Sequence, residues 1–401
     1  MHVVMFADQH VESLGGAQVS MRLQRRFLER AGHTVTIVAP RMHRPAPTDP
    51  AYIDLPSIPV TPDREYALTW PGVRTDRSVD AAMAARPPVD VVHVQADFWG
   101  ALIGHRYAAR HGLPVVHTMH NRVDVGIEAT APFPRLVLRV LNAWARRTLR
   151  AALRGRGRGD GSDGWAYLRR LARLSTAVTA PSGHFARRLE DHGAVPAGGG
   201  VDVVWNGIDD DILDTALAAG VAERRDGRPR LVWIGRMSPE KRLLPFLEAV
   251  AMSGVDAEVE IIGGGAQLRA ARRFVERARP VASIRFAGRM PYVQTLARLA
   301  EADAVVQTSI GFETQGMTVF EAASLGTPAI VSDPDIAAEL GGGSWGVADA
   351  TVPALADALR RASADIAAGS PVAVDKTIGE RFRQSSRTAA MLEVYARAAP
   401  R

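Results

Sequence analysis

The sequence predicts an α/β protein made of two Rossmann-like, doubly wound parallel-sheet domains facing each other across a cleft. Three observations predict it. Short Val-, Ile- and Ala-rich runs alternate with helix-length amphipathic stretches through the first half of the chain, the alternation resumes at Leu231, and an Asn206-Gly207 turn signal lies between the two series. Such sheets bind ligands at the carboxyl ends of their strands, so the cleft is the expected site.

In the first domain, residues 1–200, strands are expected over 2–7 and 34–38 with an amphipathic helix over 17–31 between them. Val91–Val94, Val115–His117 and Ala177–Ala180 read as buried parallel strands, because each is a near-continuous apolar run. In the second domain, residues 201–376, the strands are Leu231–Ile234, Val259–Ile262, Ile284–Phe286, Ala304–Val306 and Ala329–Val331, each followed by a helical stretch. A late helix is expected within residues 377–401.

Composition fits this reading and narrows the function. A length of 401 residues suits two to three domains of ~150 residues, and 47% hydrophobic residues can fill their cores. The chain has no Cys, which excludes disulfides and thiolate metal sites. Met1–Ala7 lacks a basic leader and is too short an apolar run for a signal peptide, and no 18-residue apolar stretch occurs, so a cytoplasmic, non-spanning protein is expected. The net charge is +6 and the isoelectric point about 10.1. Nine arginines lie between Arg146 and Arg173 against Asp160 and Asp163, with Gly155, Gly157, Gly159, Gly161 and Gly164 interleaved. The centre of this insert reads as a mobile loop, and the insert as a whole either as solvated with no partner or as a peripheral contact with an anionic membrane. Only Trp165 and Tyr167 accompany the arginines, too few for a base-stacking platform, so nucleic acid is not expected.

The chemistry concentrates in Glu313-Thr314-Gln315-Gly316-Met317-Thr318-Val319-Phe320-Glu321-Ala322. Strand Ala304–Val306 leads into this loop, and a helix starts near Gly316 and ends before Gly326-Thr327-Pro328, placing Glu313 in the loop and Glu321 inside the helix. The first-turn amides near Gln315, Gly316 and Met317 lack intrahelical acceptors and favour an anion. Phosphate at the helix tip, sugar near Glu313 and ribose near Glu321 form a consistent arrangement. The competing reading makes both glutamates solvated caps of a surface helix. The apolar flanks Phe320, Ala322, Ala323 and Leu325 argue instead for burial, and buried carboxylates need partners.

With Leu325-Gly326-Thr327-Pro328 following, this stretch resembles the E-x7-E element of the family-4 retaining glycosyltransferases, and the resemblance runs from the first strand to about residue 365. It implies the GT-B architecture, a UDP- or GDP-sugar donor on the second domain, and a C-terminal helix that braces the first. Asn206-Gly207-Ile208-Asp209 is similar to the family's interdomain element. Gly235-Arg236 and Lys241 match its G-R-x-x-x-x-K: with Arg236 at a strand end and Lys241 opening the next helix, the two cations can straddle a diphosphate and stabilise the departing nucleotide without a metal. The alternative is an exposed pair salt-bridged to Glu240. His120, just past the strand Val115–His117, matches a histidine near the donor sugar's hydroxymethyl group, whereas His117 reads as an ordinary strand residue. No H-E-x-x-H spacing exists, which argues against zinc.

Weaker elements complete the expected site. Gly15-Gly16 follows the first strand and could let backbone approach phosphate or acceptor, or form a plain turn; Gln18 departs from the family's usual residue after this pair. Gly263, within Ile262-Gly263-Gly264-Gly265, is similar to a glycine turn beside the nucleotide, with packing as its first role. Arg289 and Met290 resemble the turn that contacts the base through backbone, which leaves uracil and guanine both open.

Three function classes follow. A retaining hexosyltransferase, moving glucose or mannose, needs no protein base, no metal and no cofactor, and fits the absence of a hydrolase-like carboxylate pair. A NAD-dependent or other nucleotide enzyme would want G-x-G-x-x-G after the first strand, which Gly15-Gly16 does not supply. An anionic-surface binding module rests on the arginine insert alone. The Glu-Thr-Gln-Gly form of the motif is similar to members that glycosylate membrane lipids, implying a lipid or glycolipid acceptor at the inner membrane face. A soluble small-molecule or polysaccharide acceptor is the alternative.

Overall fold

The structure is a computed structural model and describes residues 1–13, 15–154, 161–195, 200–218 and 227–399. It divides into two compact units, residues 1–207 with 384–401 and residues 208–383. The change-overs therefore fall at 207/208 and 383/384, where the sequence reading set them at 200/201 and 376/377. Helix Thr377–Phe382 lies in the second unit and helix Gln384–Ala398 in the first.

The first unit holds one seven-stranded sheet: β1 (His2–Ala7), β2 (Thr34–Pro40), β3 (Tyr52–Leu55), β4 (Val91–Gln95), β5 (Val115–Thr118), β6 (Ala177–Ala180) and β7 (Val201–Val203). All pairings are parallel, in the order β3-β2-β1-β4-β5-β6-β7. Every residue of β1 and β4 is buried, as expected for central strands covered on both faces. On one face Val3, Met5 and Val35 pack against Met391, Val394 and Tyr395 of helix Gln384–Ala398. The Tyr395 hydroxyl and His93 Nδ1 share a hydrogen bond of 2.6 Å, tying that helix to the sheet by a polar as well as an apolar contact.

The second unit repeats the plan with β8 (Arg230–Arg236), β9 (Glu258–Gly264), β10 (Ser283–Gly288), β11 (Ala304–Gln307), β12 (Ala329–Val331) and β13 (Ser344–Gly346). Its parallel order is β10-β9-β8-β11-β12-β13. Counted within each unit, both sheets follow the 3-2-1-4-5-6 order of a doubly wound fold, extended in the first by one strand. The order reverses between β1 and β4 and between β8 and β11. Loops leaving those strands diverge to opposite faces and open a crevice at the carboxyl edge, where ligands of this fold class bind.

The flanks of the arginine insert are helical. Arg146 and Arg147 end a helix, Pro134–Thr148, and Arg169 and Arg170 lie on another, Gly164–Ala172. Arg170 is buried and donates to Asn142 Oδ1 at 2.7 Å, while Arg169 donates to the carbonyls of Gly193 and His192. Both guanidiniums hold elements together, Arg170 in the interior and Arg169 at the surface. Gly155, Arg156, Gly157, Arg158, Gly159 and Asp160 lie outside the described residues. Among the described residues, no helix is long and apolar enough to cross a membrane.

Candidate active site

The second unit's switch point is where the chemistry gathers. Strand β8 ends at Arg236, a single 3-10 turn Pro239–Lys241 follows, and the next α-helix starts at Leu243. Lys241 thus precedes the helix instead of opening it. From the far side of the crevice, β11 runs into Thr308, Ser309 and the loop to Gly316. The two loops are joined chemically. Lys241 Nζ forms an ion pair with Glu313 Oε1, Ser309 Oγ donates to the same carboxylate oxygen at 2.7 Å, and Thr308 Oγ1 donates to the Lys241 carbonyl at 2.6 Å. Trp233 of β8 donates to Thr308 Oγ1 at 2.9 Å, so the strand core itself fixes the loop.

Lys241 and Glu313 are both partly accessible, which lets a ligand reach them. Arg236 behaves differently: it is exposed and pairs with Glu240 at 3.2 Å, and Ser238 hydrogen-bonds the same carboxylate. The Glu240 alternative therefore describes Arg236 in this structure and not Lys241.

Helix Met317–Ser324 begins at Gly316, whose φ of 80° lies in the left-handed region and whose missing Cβ leaves room for Ile336, 2.7 Å from where it would stand. Gln315 and Gly316 are buried at this helix start and Met317 is half-buried. Asp333 Oδ2 accepts from Gly311 N at 2.7 Å and ties the glycine loop to the end of β12. Glu321 sits on the fifth residue of the helix, buried, and its carboxylate accepts from the Tyr292 hydroxyl at 2.8 Å. Burial raises the Glu321 carboxyl to about 7, with the Tyr292 bond pulling the other way. The same burial, together with the facing carboxylate, raises the Tyr292 phenol.

This carboxyl has a measurable signature. Unfolded, Glu321 ionises near 4.5; folded, near 7, so between those values the folded state binds more protons and stability falls as pH rises. Glu321→Gln removes that dependence. We expect the variant to be more stable than the wild type at pH 8 by on the order of 3 kcal/mol, with the advantage gone at pH 4, while nucleotide affinity falls. Thermal melts at both pH values with nucleoside diphosphate titrations check it; a pH-independent difference would show that Glu321 is not a buried, ionising group.

Gly263 lies in β9, paired with Gly235 near the carboxyl end of β8. Its φ is 130°, and a Cβ there would stand 2.0 Å from the Gly235 carbonyl oxygen, so β8 and β9 approach only because the side chain is missing. Gly263→Ala should cost about 2 kcal/mol or more in denaturant unfolding, whether or not nucleotide binds nearby. Arg289, exposed, and Met290, half-buried, follow β10; a Cβ on Gly264 would lie 3.4 Å from Arg289 Nε.

The first unit carries its own polar cluster at the β1/β4 switch point. Asp8, just after β1, accepts from the backbone amides of Asp97 at 2.8 Å, Phe98 at 3.0 Å and Gly100 at 2.8 Å, anchoring the start of helix Trp99–His111. Its carboxyl is raised to about 7, first by burial and then by Asp97. Asp97 is fully buried; its Oδ2 accepts from Asn121 Nδ2 at 2.7 Å and from the His120 amide at 3.2 Å, and its Oδ1 has no hydrogen-bond partner. His120 Nε2 is likewise buried without a partner, and burial lowers the ring below its ordinary value. His117 is a core residue bonded to the Ala96 carbonyl at 2.9 Å and to His105.

Gly15 caps helix Gly16–Arg30 at a φ of 154°, where a Cβ would stand 2.1 Å from Gln18 Oε1, while around Gly16 there is open space. The structure thus joins Lys241, Glu313 and Ser309, and separately Glu321 and Tyr292, within the second unit, whereas His120, Gly15 and Gly16 belong to the first. Asp8, Asp97 and Tyr292 were not singled out from sequence. The aspartates lie one and two residues past the ends of central strands, a signal that was available; Tyr292 has none, since its partner lies 29 residues away.

Two doubly wound units, the second holding a cation–carboxylate pair beside a helix start at its switch point, define an enzyme of the GT-B class. The comparisons identify the family: the Glycosyltransferase Family 4 profile matches residues 14–212 and the Glycosyl transferases group 1 profile residues 219–365, and the chain belongs to the family-4 glycosyltransferases. It is 26% identical over 342 residues to the GDP-mannose-dependent alpha-mannosyltransferase of Mycolicibacterium smegmatis, spanning 83% of this chain and 80% of that protein. It is 23% identical over 347 residues to the alpha-monoglucosyldiacylglycerol synthase of Streptococcus pneumoniae, spanning 82% and 70%. Anabaena HepE, solved with UDP and glucose, superposes with a TM-score of 0.66 at 16% identity, covering 98% of this chain and 99% of that one.

Proposed function

We propose that the protein is a retaining hexosyltransferase that moves glucose or mannose from a UDP- or GDP-sugar to a hydroxyl of a membrane lipid or glycolipid. The observation that carries this reading is the Lys241–Glu313 pair seated on Ser309 at the β8/β11 switch point, beside the start of helix Met317–Ser324. A diphosphate meets the Lys241 ammonium and the amides near Gln315, Gly316 and Met317, with Arg236 as a second cation on release of its bond to Glu240. Glu313 then holds the transferred sugar and Glu321 the ribose.

As the glycosidic bond breaks, negative charge grows on the diphosphate and Lys241 and Arg236 stabilise it without a metal. The acceptor hydroxyl attacks from the face that the leaving group vacates, and a phosphate oxygen takes its proton. No protein base is required. Relatives named for GDP-mannose and for a glucosyl lipid, and a neighbour solved with UDP and glucose, support a nucleoside-diphosphate hexose and keep both bases in play. Nucleoside diphosphate release from UDP-glucose and GDP-mannose, measured with and without a membrane lipid extract, tests the reading. Faster release with lipid from one donor is expected. No release from either donor, with or without lipid, would defeat it.

A further inference from the structure

Helix Pro134–Thr148 of the first unit has two apolar faces, and only one of them is used. Leu138, Asn142 and Ala145 face inward at helical spacing and are buried. On the opposite side Leu136, Val140 and Ala143, also at i, i+4, i+7, face solvent. Leu136 is 59% exposed, Val140 60% and Phe133, just before the helix, 69%. Nearby, Trp70 is 65% exposed, its ring 5.3 Å from that of Trp144 on the helix. Single exposed apolar residues are ordinary, but a two-turn outward stripe flanked by aromatic rings and closed at its C-terminal end by the exposed Arg147 needs an occupant.

Charge selects the occupant. From residue 129 to 159 the chain has no Asp or Glu and carries eight arginines. Arg135, Arg139, Arg146, Arg147 and Arg150 are exposed along this helix and its end. On a helical projection Arg135, Arg139 and Arg146 line one flank of the apolar stripe. An outward apolar stripe, a cationic flank and tryptophan at the margin match an interfacial helix on an anionic bilayer. A second protein copy would bring the same positive charge to the contact and repel it. We propose that this helix, with Phe133 and Trp70, docks the enzyme on an anionic membrane surface. The proposal deepens the lipid-acceptor reading but rests on this surface alone.

Cosedimentation of the full chain with phosphatidylglycerol-containing and pure phosphatidylcholine vesicles tests it. We expect binding to the anionic vesicles, weakened by salt, and little to the neutral ones. Arg135→Gln with Arg139→Gln should weaken partitioning by roughly 25-fold, about fivefold per arginine. Phe133→Ser, Leu136→Ser and Val140→Ser together should weaken it by about tenfold or more even at low salt. Both variants should keep the wild-type melting temperature and its nucleoside diphosphate release without lipid, which separates lost docking from lost folding. Equal binding to both vesicle types, variants that bind like wild type, or a dimer that buries this helix would each overturn the proposal. Docking that persists while no lipid accelerates the reaction would leave it standing and remove the lipid-acceptor reading instead.

Discussion

Glu313→Ala lowers turnover of the sugar-nucleotide by a factor on the order of 10² or more and leaves nucleoside diphosphate affinity within a few-fold. The expectation follows from what the carboxylate touches. Glu313 accepts from Lys241 and from Ser309, so it is held in one orientation before a ligand arrives. A polar group fixed in advance contributes most where charge and geometry change, on the transferred sugar in the transition state. Alanine also leaves the Lys241 ammonium without its carboxylate, which favours an incoming diphosphate and offsets any lost contact in the ground state. Turnover and affinity should therefore separate. Steady-state rates with isothermal titration of UDP and GDP measure both; a variant that retains full activity would show that Glu313 does not act on the sugar.

Lys241→Ala should produce the second large loss, on the order of 10²- to 10³-fold in kcat/KM, because its ammonium pairs with Glu313 across the β8/β11 crevice, where charge develops on the diphosphate. Arg242→Ala is the control. Arg242 is the next residue, but its guanidinium bonds to the carbonyl of Ala350, so its loss should cost less than tenfold. Arg236→Ala should fall between them, since that side chain is exposed and must leave Glu240 to reach a phosphate. If these cations replace a metal, the wild-type rate should survive excess chelator. A rate abolished by chelator and restored by manganese would assign the charge stabilisation to an ion instead.

Much of this arrangement was legible in the sequence because buried parallel strands are written as apolar runs. All ten of the expected strands appear within three residues of their predicted ends. Those not anticipated include β3, β7 and β13, and each is a sheet edge. An edge strand needs no continuous apolar run: Tyr52-Ile53-Asp54-Leu55 alternates, and Ser344-Trp345-Gly346 buries one residue beside a run of glycines. In the candidate site, the glutamate spacing and the Arg236–Lys241 spacing stand out locally. Their partners do not. Local spacing suggested Glu240 for both cations, whereas Lys241 pairs 72 residues away with Glu313 and Glu321 receives the hydroxyl of Tyr292 from another helix. The Asp8–Asp97 cluster likewise forms only once β1 and β4 lie side by side. The arginine insert shows the same limit: composition cannot separate Arg170, buried against Asn142, from arginines that line a surface.

The central claim, retaining transfer at the Lys241–Glu313 site, is tested most directly by the anomeric proton of the first-formed product. With wild-type enzyme, an α-linked nucleoside-diphosphate hexose and the acceptor lipid that accelerates its turnover, proton NMR should show an α-linked product, and Glu313→Ala should make little of it. A β-linked product, or an α-linked product formed equally fast by the variant, would contradict the account.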